Sequence, residues 1–100
     1  DELNVTIEIL NGTTINGLAS RTSQVFQSFG YDVAHIGNHD LNDIEKTFVI
    51  DHRGDMAQAQ RIANLIKCKN IESAAAGGVL EEIDLTIILG KDFDGRICKE

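Results

Sequence analysis

Apolar and polar positions change rhythm several times along the chain, and each rhythm predicts an element. In residues 3–10, LNVTIEIL, Leu3, Val5, Ile7 and Ile9 share one side, and Asn4, Thr6 and Glu8 the other. That two-residue period predicts a strand with one covered face. Over 17–29 the period lengthens. Leu18, Thr22, Val25, Phe26 and Phe29 fall on one helical stripe, with Asn16 as N-cap and Gly30 as the stop. YDVAHI, 31–36, predicts a short strand, and the polar run from Gly37 to Glu45 a loop. KTFVID, 46–51, is β-branched and aromatic and predicts another strand. Asp55 and Gln58 have the form of a capping box opening a second helix, with Met56, Ala59, Ile62, Ala63 and Ile66 on its inner face. IESAAA, 71–76, forms either a short strand or an irregular return before Gly77-Gly78. DLTIIL, 84–89, reads as an interior strand, and Asp94-Gly95 as a turn into a weak final arm.

The order β-α-β-β-α-β predicts an α/β (α+β) two-layer sandwich with a four-stranded mixed sheet. Right-handed crossovers put both helices on one face. The two strand-helix-strand halves duplicate one pattern without sharing residues. The polar side of the first strand then faces solvent or a partner.

Length and charge narrow this further. One hundred residues, 42% hydrophobic, supply a single domain (1–100) with one core, too small for a large active site between domains. A net charge of −7, with no Lys/Arg cluster longer than two, argues against a nucleic-acid partner, whose backbone needs a basic face. No stretch reaches the ~20 apolar residues that span a bilayer. The chain begins at Asp1, so it reads as a piece of a longer protein, with any membrane anchor in a segment outside it. Cys68 and Cys98 are too few for a disulfide scaffold. They either pair in an extracytoplasmic setting or act as separate small apolar side chains.

Candidate chemistry centres on LNGTTINGLASR, 10–21. Gly12 and Gly17 have the spacing of the glycines in a phosphate-cradling P-loop. Leu18-Ala19 stands where nucleotide binding needs Lys followed by a hydroxyl, so nucleotide hydrolysis is not expected. A helix start near Arg21 leaves anion or sugar-phosphate binding open beside a plain strand-to-helix joint. His35 and His39 have H-x3-H spacing beside Asp40, but in a strand and a loop they assemble no tetrahedral ligand set. Asp92-Phe93-Asp94-Gly95 lacks the later ligands of a calcium loop. Arg53-Gly54-Asp55 spells an adhesion tripeptide that a turn and a helix cap already explain. Asn4-Val5-Thr6 and Asn11-Gly12-Thr13 are formal glycosylation sequons. No serine has a nucleophile-elbow context, and Glu81-Glu82 reads as solubilising charge. No catalytic set, metal or cofactor is expected.

Leu10-Asn11-Gly12-Thr13, Gly17-Leu18-Ala19, Gly30-Tyr31-Asp32-Val33 and Gly37-Asn38 follow one another in an order that resembles the LytR C-terminal domain family. Thr47, Gly54-Asp55 and the closing strand Leu85 to Asp92 fit the same pattern, so the resemblance covers roughly residues 3 to 93. It implies a domain outside the bacterial cytoplasmic membrane, behind a transmembrane segment. Such domains form the tail of LytR-CpsA-Psr cell-envelope proteins and also occur without their catalytic domain. The phosphotransferase residues belong to that other domain, and none carries over to this chain.

The expectation is therefore a non-catalytic extracytoplasmic accessory domain that binds an envelope polymer or a protein partner. The ligand-binding candidates are Asn11, Gly12, Thr13, Asn16, Gly17 and Arg21, with Gly37 and Asn38 at a second strand end. Two alternatives stand beside it. One is an enzyme acting on phosphorylated glycan or lipid substrates through Arg21 and a carboxylate. The other is a structural module that pairs through its uncovered sheet face.

Overall fold

The computed structural model describes residues 5–52, 56–66, 70–73, 83–91 and 93. The elements run β1 (Thr6–Asn11), α1 (Leu18–Ser28), β2 (Asp32–Asn38), β3 (Phe48–Asp51), α2 (Met56–Leu65), β4 (Asn70–Ser73) and β5 (Leu85–Leu89). The sheet has five strands, not four, in the order β2-β1-β5-β3-β4. The additional strand is β4, which pairs parallel to β3 from Phe48↔Asn70 to Asp51↔Ser73. So short a segment shows no period of its own. Its strand character comes from pairing with the edge of β3, which gives its backbone groups partners.

β5 lies at the centre, parallel to β1 and antiparallel to β3. All of its residues are buried, the polar Thr86 among them, as in a strand covered on both sides. On either side stands a parallel pair with its crossover helix, β1-α1-β2 and β3-α2-β4. Both helices feed one core. Leu18 and Phe26 of α1 share one buried cluster with Ile7 and Ile9 of β1, and Ala59 and Ile62 of α2 join it with Val49, Ile87 and Leu89. Phe26 and Tyr31 pack edge to face with ring centroids 5.7 Å apart.

Several local expectations change. Gly17, not Asn16, caps α1, at φ 77° and with no side-chain cap bond. Asn16 is thereby released from the helix end. Thr22 and Ser23 are buried in α1 yet satisfied, because their hydroxyls donate to Leu18 O and Ser20 O at 2.8 and 3.0 Å. Met56 is 53% exposed, and Leu65 takes a place in the core instead. β2 extends through Gly37 and Asn38, which pair with Leu10 and Asn11, so these two residues belong to a strand. The register slips between Ile7↔Val33 and Glu8↔His35. Ala34 is the extra residue of a bulge, and the bulge turns His35 onto the side of Glu8. Asp55, Cys68, Cys98, Gly77-Gly78, the Arg53-Gly54-Asp55 tripeptide and the Asp94-Gly95 turn lie outside the described residues.

Candidate functional site

The carboxyl ends of β1 and β2 lie side by side, and α1 starts beyond β1. Open α/β sheets tend to bind ligands in this region. Its shape follows from Asn11. This side chain is 6% exposed, and its amide is engaged on both ends. Oδ1 accepts the Thr13 N–H at 2.9 Å and the Thr13 hydroxyl at 2.6 Å, while Nδ2 donates to Ile15 O at 2.7 Å. The Thr13 hydroxyl in turn accepts the Ile15 N–H at 3.1 Å. Asn11 and Thr13 thus hold the joint together, as short polar side chains do in turns. A glycan could not reach the Asn11 amide as a sequon acceptor.

Gly12 is structural for a different reason. Its N–H donates to Leu89 O at 2.9 Å, and its carbonyl accepts the Ile44 N–H at 3.0 Å. A Cβ there would stand 2.7 Å from Ile44 Cγ1 and 2.7 Å from Leu89 O. The segment after β2 is pinned to the same edge. His39 N–H donates to Asn11 O, Lys91 N–H to Ile44 O, and Gly90 N–H to the Thr47 hydroxyl, at 3.0, 2.8 and 2.9 Å.

Between the joint and this pinned segment lies an open cleft of about 510 Å³. One wall is Asn11, Thr13, Thr14, Asn16 and Gly17. The other is Asn38, His39, Asp40 and Asn42. Of the residues singled out from the sequence, Asn11, Thr13, Asn16, Gly17 and Asn38 line it, and Gly12, Gly37 and Arg21 do not. The side chains of Thr14, Asn16, Asn38, Asp40 and Asn42 are exposed and make no hydrogen bond or ion pair with the described residues. His39 Nδ1 accepts the Leu41 N–H at 3.1 Å, which leaves Nε2 as the protonated donor of the ring. The lining therefore offers carboxamides, a hydroxyl, an imidazole N–H and one carboxylate, but no Lys or Arg.

Sequence reasoning misses Thr14 and Asn42, and weighs His39 and Asp40 only as metal ligands. Their signal is present in the recurrence of Asn38, Asp40 and Asn42 at alternate positions of one polar stretch. His35 and His39 do not converge. His35 Nδ1 is 2.8 Å from Glu8 Oε2 on the sheet, while His39 faces the cleft. Among the described residues no group of three metal-ligating side chains comes together.

The His35–Glu8 contact belongs to a polar chain on the sheet face opposite the helices. Thr86 donates its hydroxyl to Glu8 Oε1 at 3.0 Å, so the 2.7 Å bond from His52 Nε2 must be donated by the imidazole. Three strand-borne groups, and His52 one residue past the end of β3, are thereby linked across the middle of the sheet.

The profile of the LytR_C family, described as LytR cell envelope-related transcriptional attenuator, matches residues 4–93. The chain belongs to this family. Among solved structures, the LytR_C chain is similar to the soluble domain of a conserved hypothetical secreted protein from Mycobacterium marinum, with a TM-score of 0.77 at 14% sequence identity. That likeness covers 99% of this chain and 67% of the other, and at this identity it shows a shared fold. No curated protein matches the chain. Among the described residues, no helix is long and apolar enough to cross a membrane.

Proposed function

We propose that this LytR_C domain is a non-catalytic, extracytoplasmic binding domain of a bacterial cell-envelope protein, and that its cleft holds a segment of an envelope polymer. The observation that carries this reading is the division of labour in the cleft. Asn11 and Thr13 are consumed by the architecture, while Asn16, Asn38, Asn42, Thr14 and Asp40 stand exposed without partners among the described residues. Side chains on pinned backbone, unspent on folding, form a prepared recognition surface. The family description names the cell envelope, and the Mycobacterium marinum protein is described as secreted, which supports a place outside the cytoplasm. Attachment to the membrane through a segment outside this chain is part of the same reading. An enzyme built on Arg21 is not favoured, since Arg21 lies off the cleft lining.

The test is an NMR titration of the labelled domain with solubilised wall-polymer fragments. Amides of residues 13–17 and 38–42 should shift together at millimolar ligand. Binding that moves only amides elsewhere, or none at all, would remove the cleft from the proposal.

A further inference from the structure

We infer that the cleft takes uncharged, hydroxyl-rich saccharide units and rejects phosphate-bearing ones; this rests on the cleft being the binding site. The chemistry of the free groups makes the distinction. Asn16, Asn38 and Asn42 each present a donor and an acceptor, and Thr14 presents both on one oxygen. Asp40 can only accept, and His39 Nε2–H can donate. Neighbouring sugar hydroxyls, each able to give and to take a proton, satisfy such a mixed set. A phosphodiester offers acceptors alone, and inorganic phosphate at neutral pH adds only one or two hydroxyls, so the carboxamide oxygens and Asp40 find few donors in either.

Electrostatics decides in the same direction. The start of α1 lies at the cleft through Gly17, and a helix N-terminus carries about half a positive charge, which favours anions. Asp40 places a full negative charge in the same cleft, and no Lys or Arg lines it. The chain as a whole carries −7, so a polyanionic polymer meets repulsion at long range too. No Phe, Tyr or Trp lines the cleft, so a single sugar unit gains no broad stacking platform and binds weakly. A repeating polymer compensates by presenting many units at high local concentration.

Three probes separate this inference from the reading beneath it. The 100-residue chain is titrated with N-acetylglucosamine trimer, with inorganic phosphate at equal concentration, and with a digest of wall polymer. The trimer should shift the amides of Thr14, Asn38 and Asn42, and phosphate should leave them in place. Asp40→Asn, at an exposed residue, should weaken the trimer roughly threefold to tenfold by removing a charged acceptor, and should let phosphate produce a shift. If phosphate moves these amides as far as the trimer does, the inference is overturned and the cleft remains a binding site. Shifts caused by the wall digest alone would likewise overturn the inference and leave the cleft as a binding site. If none of the three probes moves them, both fall. Unchanged trimer affinity in Asp40→Asn would overturn the role of that carboxylate.

Discussion

Replacing Asn11 with Ala separates the groups that build the cleft from the groups that face a ligand. The Asn11 side chain makes three hydrogen bonds, two to Thr13 and one to Ile15. Their costs differ. The Thr13 N–H is buried, so losing its acceptor exposes the full desolvation penalty, about 1–3 kcal/mol. The Thr13 hydroxyl is buried too but can rotate, and Ile15 is exposed enough for water to replace the amide, so each of these losses is nearer ~0.5–1 kcal/mol. The sum is about 2–5 kcal/mol, which for a domain of this size lowers Tm by roughly 10–25 °C. Asn38→Ala removes an exposed side chain without a partner among the described residues and should stay within ~0.5 kcal/mol of the parent. Thermal unfolding followed by circular dichroism, run on both variants at one pH and salt, makes the comparison. If Asn11→Ala melts within about 2 °C of the parent (about 0.5 kcal/mol), or if Asn38→Ala falls as far as it, the assignment of Asn11 to architecture is wrong.

Other substitutions probe the same edge and the opposite face. Gly12→Ala should cost about 1–3 kcal/mol in urea denaturation, because the Ile44 side chain can yield but the Leu89 carbonyl is fixed in the central strand. Gly17→Ala meets no atom within 4 Å, so its cost should be only that of a left-handed residue, about 1–2 kcal/mol, and Gly17→Asn should recover part of it. Thr86→Val keeps the shape but strips Glu8 Oε1 and His52 Nε2 of their shared partner. It should lower stability by about 1–3 kcal/mol, and a double-mutant cycle with Glu8→Gln should show coupling.

The parts of the fold legible in the sequence are those whose period is set by burial. Ile7 and Ile9 alternate with Glu8 because one side of β1 is covered, and Leu18, Thr22 and Phe26 recur because α1 buries one stripe. β4 is only half legible: 71–76 reads as either a short strand or an irregular return, and pairing with β3, not composition, decides for the strand. The left-handed Gly17 escapes the sequence for a related reason. Asn16 is the better capping residue by type, but the hydrogen bonds of Asn11 and Thr13 fix the path of the loop before the helix begins. At the cleft, the residue types Asn11, Thr13, Asn16 and Asn38 stand out in the sequence, but their division into bonded and free groups depends on contacts no pattern encodes. The wall carries Asn38, Asp40 and Asn42 at alternate positions, but they lie in a polar, turn-rich run that predicts a loop rather than one side of a cleft.

That wall sits where it does because of strand order. β2 lies at one edge of the sheet, while β3, the next strand in sequence, lies beyond both β1 and β5. The chain leaving β2 must therefore cross the carboxyl ends of β1 and β5 to reach β3. Its bonds record the crossing: His39 to Asn11 and Ile44 to Gly12 over β1, then Lys91 to Ile44 and Gly90 to Thr47 beside the end of β5. Nearly all of these are main-chain bonds, so the crossing uses few of its side chains. A connection held by its own side chains would have consumed Asn38, Asp40 and Asn42 in the way the β1–α1 joint consumes Asn11 and Thr13. The late insertion of β5 between β1 and β3 thus has two effects at once. It draws a polar segment across the mouth of the β1–α1 joint, and it leaves that segment's polar groups available to something other than the fold.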